Sequence, residues 1–469
     1  MYFQQFYLTC LAHASYMIGS EGVAAVVDPQ RDVGIYLEDA EKHGLKISHI
    51  IETHLHADFV SGHQELAART GAKIHVGVRA GAQFPHHDVN DGDEIAFGRA
   101  VLRFLETPGH SGDSICVLLT DLDRAPQPWA VLTGDTLFIG EVGRPDLSPD
   151  HTAEELASML YDSLHAKLLK LPDNVEIYPA HGAGSLCGCN ISPERQSTIG
   201  KERAFNYALR PMSREDFIRL MVTDLPERPE YFYRDKEINR AGAPAVADLP
   251  KLPALSAQDV AKLQSQNAIV FDTRPAAQFG AGHIPGSIHI ALNGQYASWA
   301  GTLLGLETPV VLVAEDAGRA EEARVRLARV GLEKAVGYLH DGLHAWQQAG
   351  LPLEEVPQIS ALQLYEQLRD HPGSVQVIDV RRPGEWAAGH IEQAQVKPLH
   401  KLTSLLDDLD PHKPIAVHCK GGYRSSIGTS LLQRAGFKQV MNVVGGLDAW
   451  EAHKLPTVIE KPHAQETSA

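Results

Sequence analysis

Thr53-His54-Leu55-His56-Ala57-Asp58-Phe59 is the stretch on which the first half of this chain turns. The run before it, Ile47-Ser48-His49-Ile50-Ile51, has a short apolar strand pattern, so the two histidines and the aspartate fall in the loop at a strand end. Imidazoles and a carboxylate spaced in this way supply ligands for adjacent metal ions, and a histidine after the aspartate would complete a second site. Phe59 stands there instead, and a phenyl ring has no lone pair to donate. The expectation is one well-formed site with open positions, which suits oxygen chemistry better than two-metal hydrolysis.

Working outward, strand-like runs at Tyr7 to Ile18 and Val23 to Val27 and a helical pattern from Val33 to His43 precede the cluster. Further short strand-and-loop units end at His110, at Asp135 in Val131-Leu132-Thr133-Gly134-Asp135, and at His181 in Ile177-Tyr178-Pro179-Ala180-His181. Four loops thus carry polar residues away from sheet ends, as in an active site built on a rigid scaffold.

The remaining bounds are coarse. A chain of 469 residues exceeds one ordinary core, and 43% hydrophobic content supports folded domains. With 42 basic against 59 acidic residues, the net charge of −17 repels nucleic acid and anionic membranes, so neither partner is expected. The first basic residue is Arg31 and no apolar run reaches spanning length, so neither a secretory leader nor a membrane helix is expected. Five cysteines, Cys10, Cys116, Cys187, Cys189 and Cys419, are too few for a disulfide framework and fit a reducing, cytoplasmic setting.

The second half contains an internal repeat. Phe271-Asp272-Thr273-Arg274 with Gly282-His283-Ile284 corresponds to Ile378-Asp379-Val380-Arg381 with Gly389-His390-Ile391, the aspartate preceding the histidine by 11 positions in both. Both copies close on Gly-Leu-x-Ala-Trp, at Trp346 and Trp450. Two copies of one α/β domain are the simplest explanation.

His54, His56, Asp58, His110, Asp135 and His181 together resemble the metallo-β-lactamase superfamily over roughly the first half of the chain. Within it THLHADFVSGH, TPGHSGDS, LTGDTLFIGEVGRPDL and YPAHG are most similar to persulfide dioxygenases. The resemblance implies one Fe(II) per dioxygenase domain, held by His54, His110 and Asp135, with free positions for a persulfide and O2. His56, Asp58 and His181 would then orient ligands or move protons. Arg144 matches an arginine that contacts the thiol carrier, and an ion pair with Asp146 is the structural alternative. Where glutathione-using members carry a tyrosine this chain has Ala183, followed by Gly184-Ser185-Leu186-Cys187-Gly188-Cys189. This departure is compatible with a persulfide other than that of glutathione and leaves the carrier open between glutathione, coenzyme A and another thiol, with Cys187 as a candidate catalytic thiol that accepts or presents sulfur, or else an inert one.

In the second copy, Ile415-Ala416-Val417-His418-Cys419-Lys420-Gly421-Gly422-Tyr423-Arg424-Ser425 sets a cysteine and a glycine-rich turn between a strand and a helical run. Backbone N–H groups and a helix N-terminus would face the Cys419 sulfur and stabilise a thiolate or persulfide. With Asp379, Arg381, Glu385, His390 and Trp450 this resembles the rhodanese family, and the resemblance implies that Cys419 is catalytic and that Lys420, Gly421, Gly422, Tyr423 and Arg424 form its substrate-binding loop. Asp379 and Arg381 read as a structural ion pair. The first copy has Ala314 in the place of Cys419, with Glu315 and Asp316 beside it, and so cannot form a persulfide.

The expected fold is multidomain, α/β and α+β: an αββα metallo-β-lactamase sandwich over residues 1–240, a linker at 241–254, an inactive rhodanese-like domain at 255–354, an active one at 358–458 and a polar tail at 459–469. The expected chemistry is oxidation of a small persulfide by O2 to sulfite, with Cys419 exchanging sulfane sulfur between sulfite and thiosulfate. A homo-oligomer is expected. The rivals are a glyoxalase-II-like thioester hydrolase with two zinc ions and a non-catalytic persulfide sensor or relay.

Overall fold

The computed structural model describes residues 1–148, 150–188, 190–223, 225 and 227–460. Cys189 and the tail beyond Glu460 lie outside the described residues. The chain divides into two compact units, Met1–Pro250 with Val325–Glu333, and Lys251–Arg324 with the chain from Lys334 onward.

The first unit contains two six-stranded sheets. One runs in the order β1 (Tyr2–Leu8), β2 (His13–Ser20), β3 (Val23–Val27), β4 (Lys46–Ile51), β5 (Lys73–Gly77), β6 (His87–Val89). The other is built of β7 (Glu94–Phe97), β8 (Ala100–Glu106), β9 (Ile115–Asp121), β10 (Ala130–Gly134), β11 (Glu176–Pro179) and β12 (Ser197–Thr198), with neighbours again consecutive. Alternate residues of both sheets interdigitate: Ala14, Tyr16 and Ile18, Ala25 and Val27 meet Leu102 and Phe104, Val117 and Leu119, Ala130 and Leu132. The intervening residues face outward onto helices. Met17, Ala24 and Val26 pack with Tyr36, Ala40 and Leu66, while Cys116, Leu118, Val131 and Ile177 pack with Ala157, Leu160, Phe217 and Met221. This is the αββα sandwich, and it explains why β2, β3, β9 and β10 read as nearly continuous apolar runs: both faces are covered.

One sequence expectation divides in two. Tyr7 to Ile18 is not one strand, because Leu11 N–H bonds Leu8 O (3.2 Å), Ala12 N–H bonds Thr9 O (3.2 Å), and Ala12 takes φ +52°. The resulting turn folds β2 back on β1. No glycine, proline or asparagine announces it.

His49, His75 and His87 neighbour one another on β4, β5 and β6, with His49 Nδ1 3.1 Å from His75 Nε2. Burial, then His49, His87 and Lys73, push the His75 pKa from 6.5 down to about 3. Between those values the unfolded chain takes up a proton that the folded chain refuses, so this contribution is intact above pH 6.5 and is lost as pH falls toward 3. Allowing for partial solvent screening, His75→Asn is expected to flatten the acid side of the first domain's stability profile by up to about 1 kcal/mol per pH unit. Urea unfolding at pH 7 and pH 5 checks this, and equal losses in both proteins would contradict it.

The second unit holds two five-stranded, all-parallel sheets of identical order. The first is β13 (Ala254–Leu255), β17 (Ala335–Leu339), β16 (Val310–Val313), β14 (Ile269–Asp272), β15 (Ile288–His289), and the second is β18 (Gln358–Ile359), β22 (Val440–Val443), β21 (Ile415–His418), β19 (Gln376–Asp379), β20 (Ala394–Val396). The repeat is structural down to its hydrogen bonds. Arg274 clasps Asp272 and donates to Gly282 O, as Arg381 clasps Asp379 and donates to Gly389 O. Trp346 Nε1 donates to Pro352 O (2.8 Å) and Trp450 Nε1 to Pro456 O (2.9 Å).

Candidate functional site

The loop leaving β4 is anchored before it reaches the histidines. Thr53 N–H and Oγ1 donate to the two oxygens of Asp28 (2.7 and 2.9 Å), and Leu55 N–H donates to Asp113 (2.8 Å). From the helix Tyr231–Ala241, Asn239 Nδ2 donates to His56 O and Phe59 O (both 2.8 Å), while its Oδ1 accepts from Ser61 N–H (2.8 Å). Asp28 and Asn239 fall in no motif, Asp113 sits inside TPGHSGDS without being singled out there, and Asn239 lies 180 residues from Phe59. Only the folded chain reveals their anchoring role.

This anchoring brings His54, His110 and Asp135 together. One donor atom from each lies within 4.8 Å of the others, and all three side chains are buried. His110 Nε2 stands 3.4 Å and His54 Nε2 3.9 Å from Asp135 Oδ2. Neither His54 Nε2 nor Asp135 Oδ2 has a hydrogen-bond partner, whereas His110 Nδ1 is held at 3.0 Å from Arg144 O. Buried lone pairs that converge without a proton between them are what a cation requires, and unsatisfied they are costly. The group has the donor set and the convergence to hold a metal ion. Gly143 lets it close, because a Cβ there would stand 2.0 Å from Asp135 O and 2.8 Å from His110 Nδ1.

His181 sits behind Asp135. Its Nδ1 is 2.8 Å from Asp135 Oδ1 and its Nε2 2.9 Å from Asp58 Oδ2. Burial alone would lower the His181 pKa, but the charges and hydrogen bonds of Asp135 and Asp58 drive it well above the ordinary value. Asp135 is displaced in the complementary sense: burial opposes its charge, and His181, His110 and His54 together hold its carboxyl well below the usual range. His56 turns elsewhere, toward Asp28 (3.2 Å) and Glu52 (3.6 Å). Phe59 is fully buried, its ring 4.1 Å from that of His13 and 4.4 Å from that of His56. Beside His13 and His56, Phe59 therefore contributes apolar carbon and no donor atom for a metal.

Cys187 is buried with Asp58 and His181, their donor atoms again within 4.8 Å. Burial first, then the charges of Asp58 and Asp135, raise its pKa well above that of a free thiol. Arg144 is tied to Asp146 by two hydrogen bonds (2.6 and 2.8 Å) and reaches Leu186 O (3.3 Å), so it braces the loop that carries Cys187.

In the second unit, β21 ends at His418, Cys419 follows it directly, and the helix Tyr423–Arg434 begins four residues after that cysteine. Gly422, at φ +98°, turns its N–H onto Cys419 Sγ at 3.1 Å. Cys419 O and Lys420 O accept from Leu447 N–H (2.8 Å) and Asp448 N–H (3.0 Å), and a Cβ on Gly446 would lie 2.3 Å from Cys419 O. Glycine at 446 is therefore needed for the loop to seat. Lys420 and Gly421 are exposed at the loop tip, whereas Arg424 makes two 2.7 Å hydrogen bonds to Glu385. In the first repeat Ala314 follows β16, and Arg319 pairs with Glu315 and Glu322.

These two sites agree with what the chain matches. Residues 8–181 match the metallo-beta-lactamase superfamily, and residues 256–349 and 360–453 each match the rhodanese-like domain. The chain belongs to the metallo-beta-lactamase superfamily, joined to two rhodanese-like domains. More narrowly, its first domain is a homologue of persulfide dioxygenases. It is 33% identical to the mitochondrial persulfide dioxygenase of Bos taurus over 204 residues, 42% of this chain and 70% of that protein. The match to the Mus musculus protein is 35% over 179 residues, 38% of this chain and 62% of the relative's length. A hydroxyacylglutathione hydrolase of Polaromonas sp. is 30% identical over 236 residues, 45% of this chain and 85% of that protein. Among solved structures, a metallo-beta-lactamase from Staphylococcus aureus superposes with a TM-score of 0.66 at 32% identity, covering 72% of this chain and 98% of its own. No helix among the described residues is long and apolar enough to cross a membrane.

Proposed function

We propose that the first domain is an iron-dependent dioxygenase for a low-molecular-weight persulfide and that Cys419 exchanges sulfane sulfur with its product. The observation that carries this reading is the pairing of a two-histidine, one-carboxylate site with a buried phenyl ring at Phe59, where the histidine of a two-metal hydrolase would stand. His54, His110 and Asp135 would hold the iron, and ferrous iron in such a site supplies joint binding and activation of a sulfur anion and O2. The balance is R-SSH + O2 + H2O → R-SH + SO3²⁻ + 2 H⁺.

The chain's own groups have definable tasks. His181 orients Asp135 through Oδ1 and, with Asp58, forms a buried path along which a proton can move. Gly422 N–H and the start of the following helix stabilise charge on Cys419 Sγ, so that a Cys419 persulfide can pass its outer sulfur to sulfite: Cys-S-S⁻ + SO3²⁻ → Cys-S⁻ + S2O3²⁻. Cys187, beside Asp58, would take or present sulfur within the first domain once it gives up the proton that burial holds on it. Cys187→Ser is then expected to change the sulfite-to-thiosulfate ratio at least about twofold while metal content holds, because sulfur transfer needs the thiol and the metal set does not. An unchanged ratio would remove Cys187 from the reaction.

Likeness to hydroxyacylglutathione hydrolases and the second buried donor set of Asp58, His181 and Cys187 support one competing reading, a two-zinc thioester hydrolase. Metal analysis with an oxygen electrode separates the two. One iron per chain and persulfide-dependent O2 uptake are expected, whereas two zinc ions and thioester cleavage without O2 uptake would overturn the dioxygenase reading.

A further inference from the structure

We propose that the thiol-less first rhodanese-like repeat sets the reactivity of Cys419 in the second, with His289 and Gly294 as positioning residues. The inference rests on the reading of Cys419 as the sulfur-carrying thiol. The element that links the two repeats is the helix Tyr423–Arg434, whose first turn, with Gly422, faces the Cys419 sulfur and whose residues Ser425 to Leu432 are buried.

Ser426 and Ser430, one helical turn apart, share a face. His289, the last residue of β15, meets both. Its Nε2 lies 2.8 Å from Arg274 O, and since a carbonyl only accepts, that nitrogen carries the proton. Nδ1 is left as an acceptor for the Ser426 hydroxyl at 2.9 Å. The His289 backbone N–H donates to Ser430 Oγ at 3.1 Å. Burial, the largest influence, lowers the His289 pKa and so keeps this tautomer neutral.

A second clamp acts at the helix start. Tyr423, adjacent to Gly422, donates its hydroxyl to Ala291 O at 2.7 Å. Its ring fills the space where a Cβ on Gly294 would stand, 2.4 Å from Cε2 and 2.5 Å from Cζ. Residues 289–294 of the first repeat thus hold the helix at its first turn and again along its buried face. The charged and titratable groups of the Cys419 loop and its contacts, namely Lys420, His418, Asp448, Arg424 with Glu385 and Asp379 with Arg381, all belong to the second repeat. Changes at 289 and 294 therefore alter where the loop N–H groups sit without altering charge around the sulfur. A helix shifted by a few tenths of an ångström lengthens the 3.1 Å Gly422 N–H to sulfur contact and weakens thiolate stabilisation.

The test uses the full chain, with His289→Ala and Gly294→Ala as independent perturbations and Cys419→Ser as the background for the other thiols. Iodoacetamide labelling of Cys419 is followed as a function of pH. Both variants are expected to move the labelling midpoint upward by about half a unit to one unit, slowing the reaction at neutral pH roughly three- to tenfold. Metal content and persulfide-driven O2 uptake stay at wild-type levels. His289→Gln, which keeps one donor and one acceptor, recovers part of the shift. An unchanged midpoint in both variants, or a rate loss that only follows a lowered unfolding temperature, overturns the proposal. Labelling needs no sulfur substrate, so a shifted midpoint in a protein without thiosulfate turnover would sink the functional reading of Cys419 and leave the positioning role standing.

Discussion

Asp135→Ala is expected to empty the first domain's metal site and abolish O2 uptake while leaving Cys419 reactive. Asp135 serves two purposes at once: Oδ2 faces His54 and His110, and Oδ1 holds His181. Loss of a partner that only orients a ligand costs about 10–100-fold in affinity or activity, and Asp135 is both an orienting group and a donor. Metal content should fall to below about a tenth of wild type, with O2 uptake down by more than about a hundredfold. Removing a buried charge from beside His181 also destabilises, by about 3–5 kcal/mol where a buried pair is broken. Asp135→Asn, which keeps the side-chain volume, accompanies the alanine variant for that reason, and circular dichroism checks that both fold. His56→Ala supplies the contrast, since His56 faces Asp28 and Glu52 and its loss should leave more metal bound. Full metal occupancy in Asp135→Ala would refute the assignment of the site.

Cys419→Ser is expected to reverse that pattern, with O2 uptake within about twofold of wild type and sulfur transfer to or from thiosulfate reduced by more than about a thousandfold. A serine hydroxyl accepts the Gly422 N–H in place of sulfur, but it cannot form the S–S bond on which the transfer depends. The fold should tolerate the change, because the loop is fixed by its carbonyls on Leu447 and Asp448 rather than by the thiol. Separate assays of O2 consumption and of thiosulfate formation decide the matter. Equal loss of both activities would show that the two sites are not divided as proposed.

The motifs legible in the sequence were those whose chemistry is written in short spacings. The run from Thr53 to Phe59, the turn from Cys419 to Arg424 and the doubled Asp-x-Arg pattern each place their functional groups within a few residues of one another, so residue type and interval suffice to read them. The Ala12 turn was hidden because its positive φ falls on a residue with no turn preference, and β1 and β2 therefore read as one strand. Arg144 shows the other kind of limit. Its sequence context allows a substrate contact and an ion pair together, and the structure shows the second, with the guanidinium on Asp146 and Leu186 O.

By itself the sequence determined the order of domains, the residue types of the candidate sites, the presence of a phenyl ring at Phe59 and the absence of a thiol at Ala314. Only the tertiary structure decided that Asn239 ties the histidine loop to a distant helix, that Cys187 enters the site beside Asp58, and that His289 grips the helix behind Cys419. The physical reason is that side-chain chemistry is local to the chain, whereas orientation depends on hydrogen bonds made across 137 to 183 residues, which no spacing rule records.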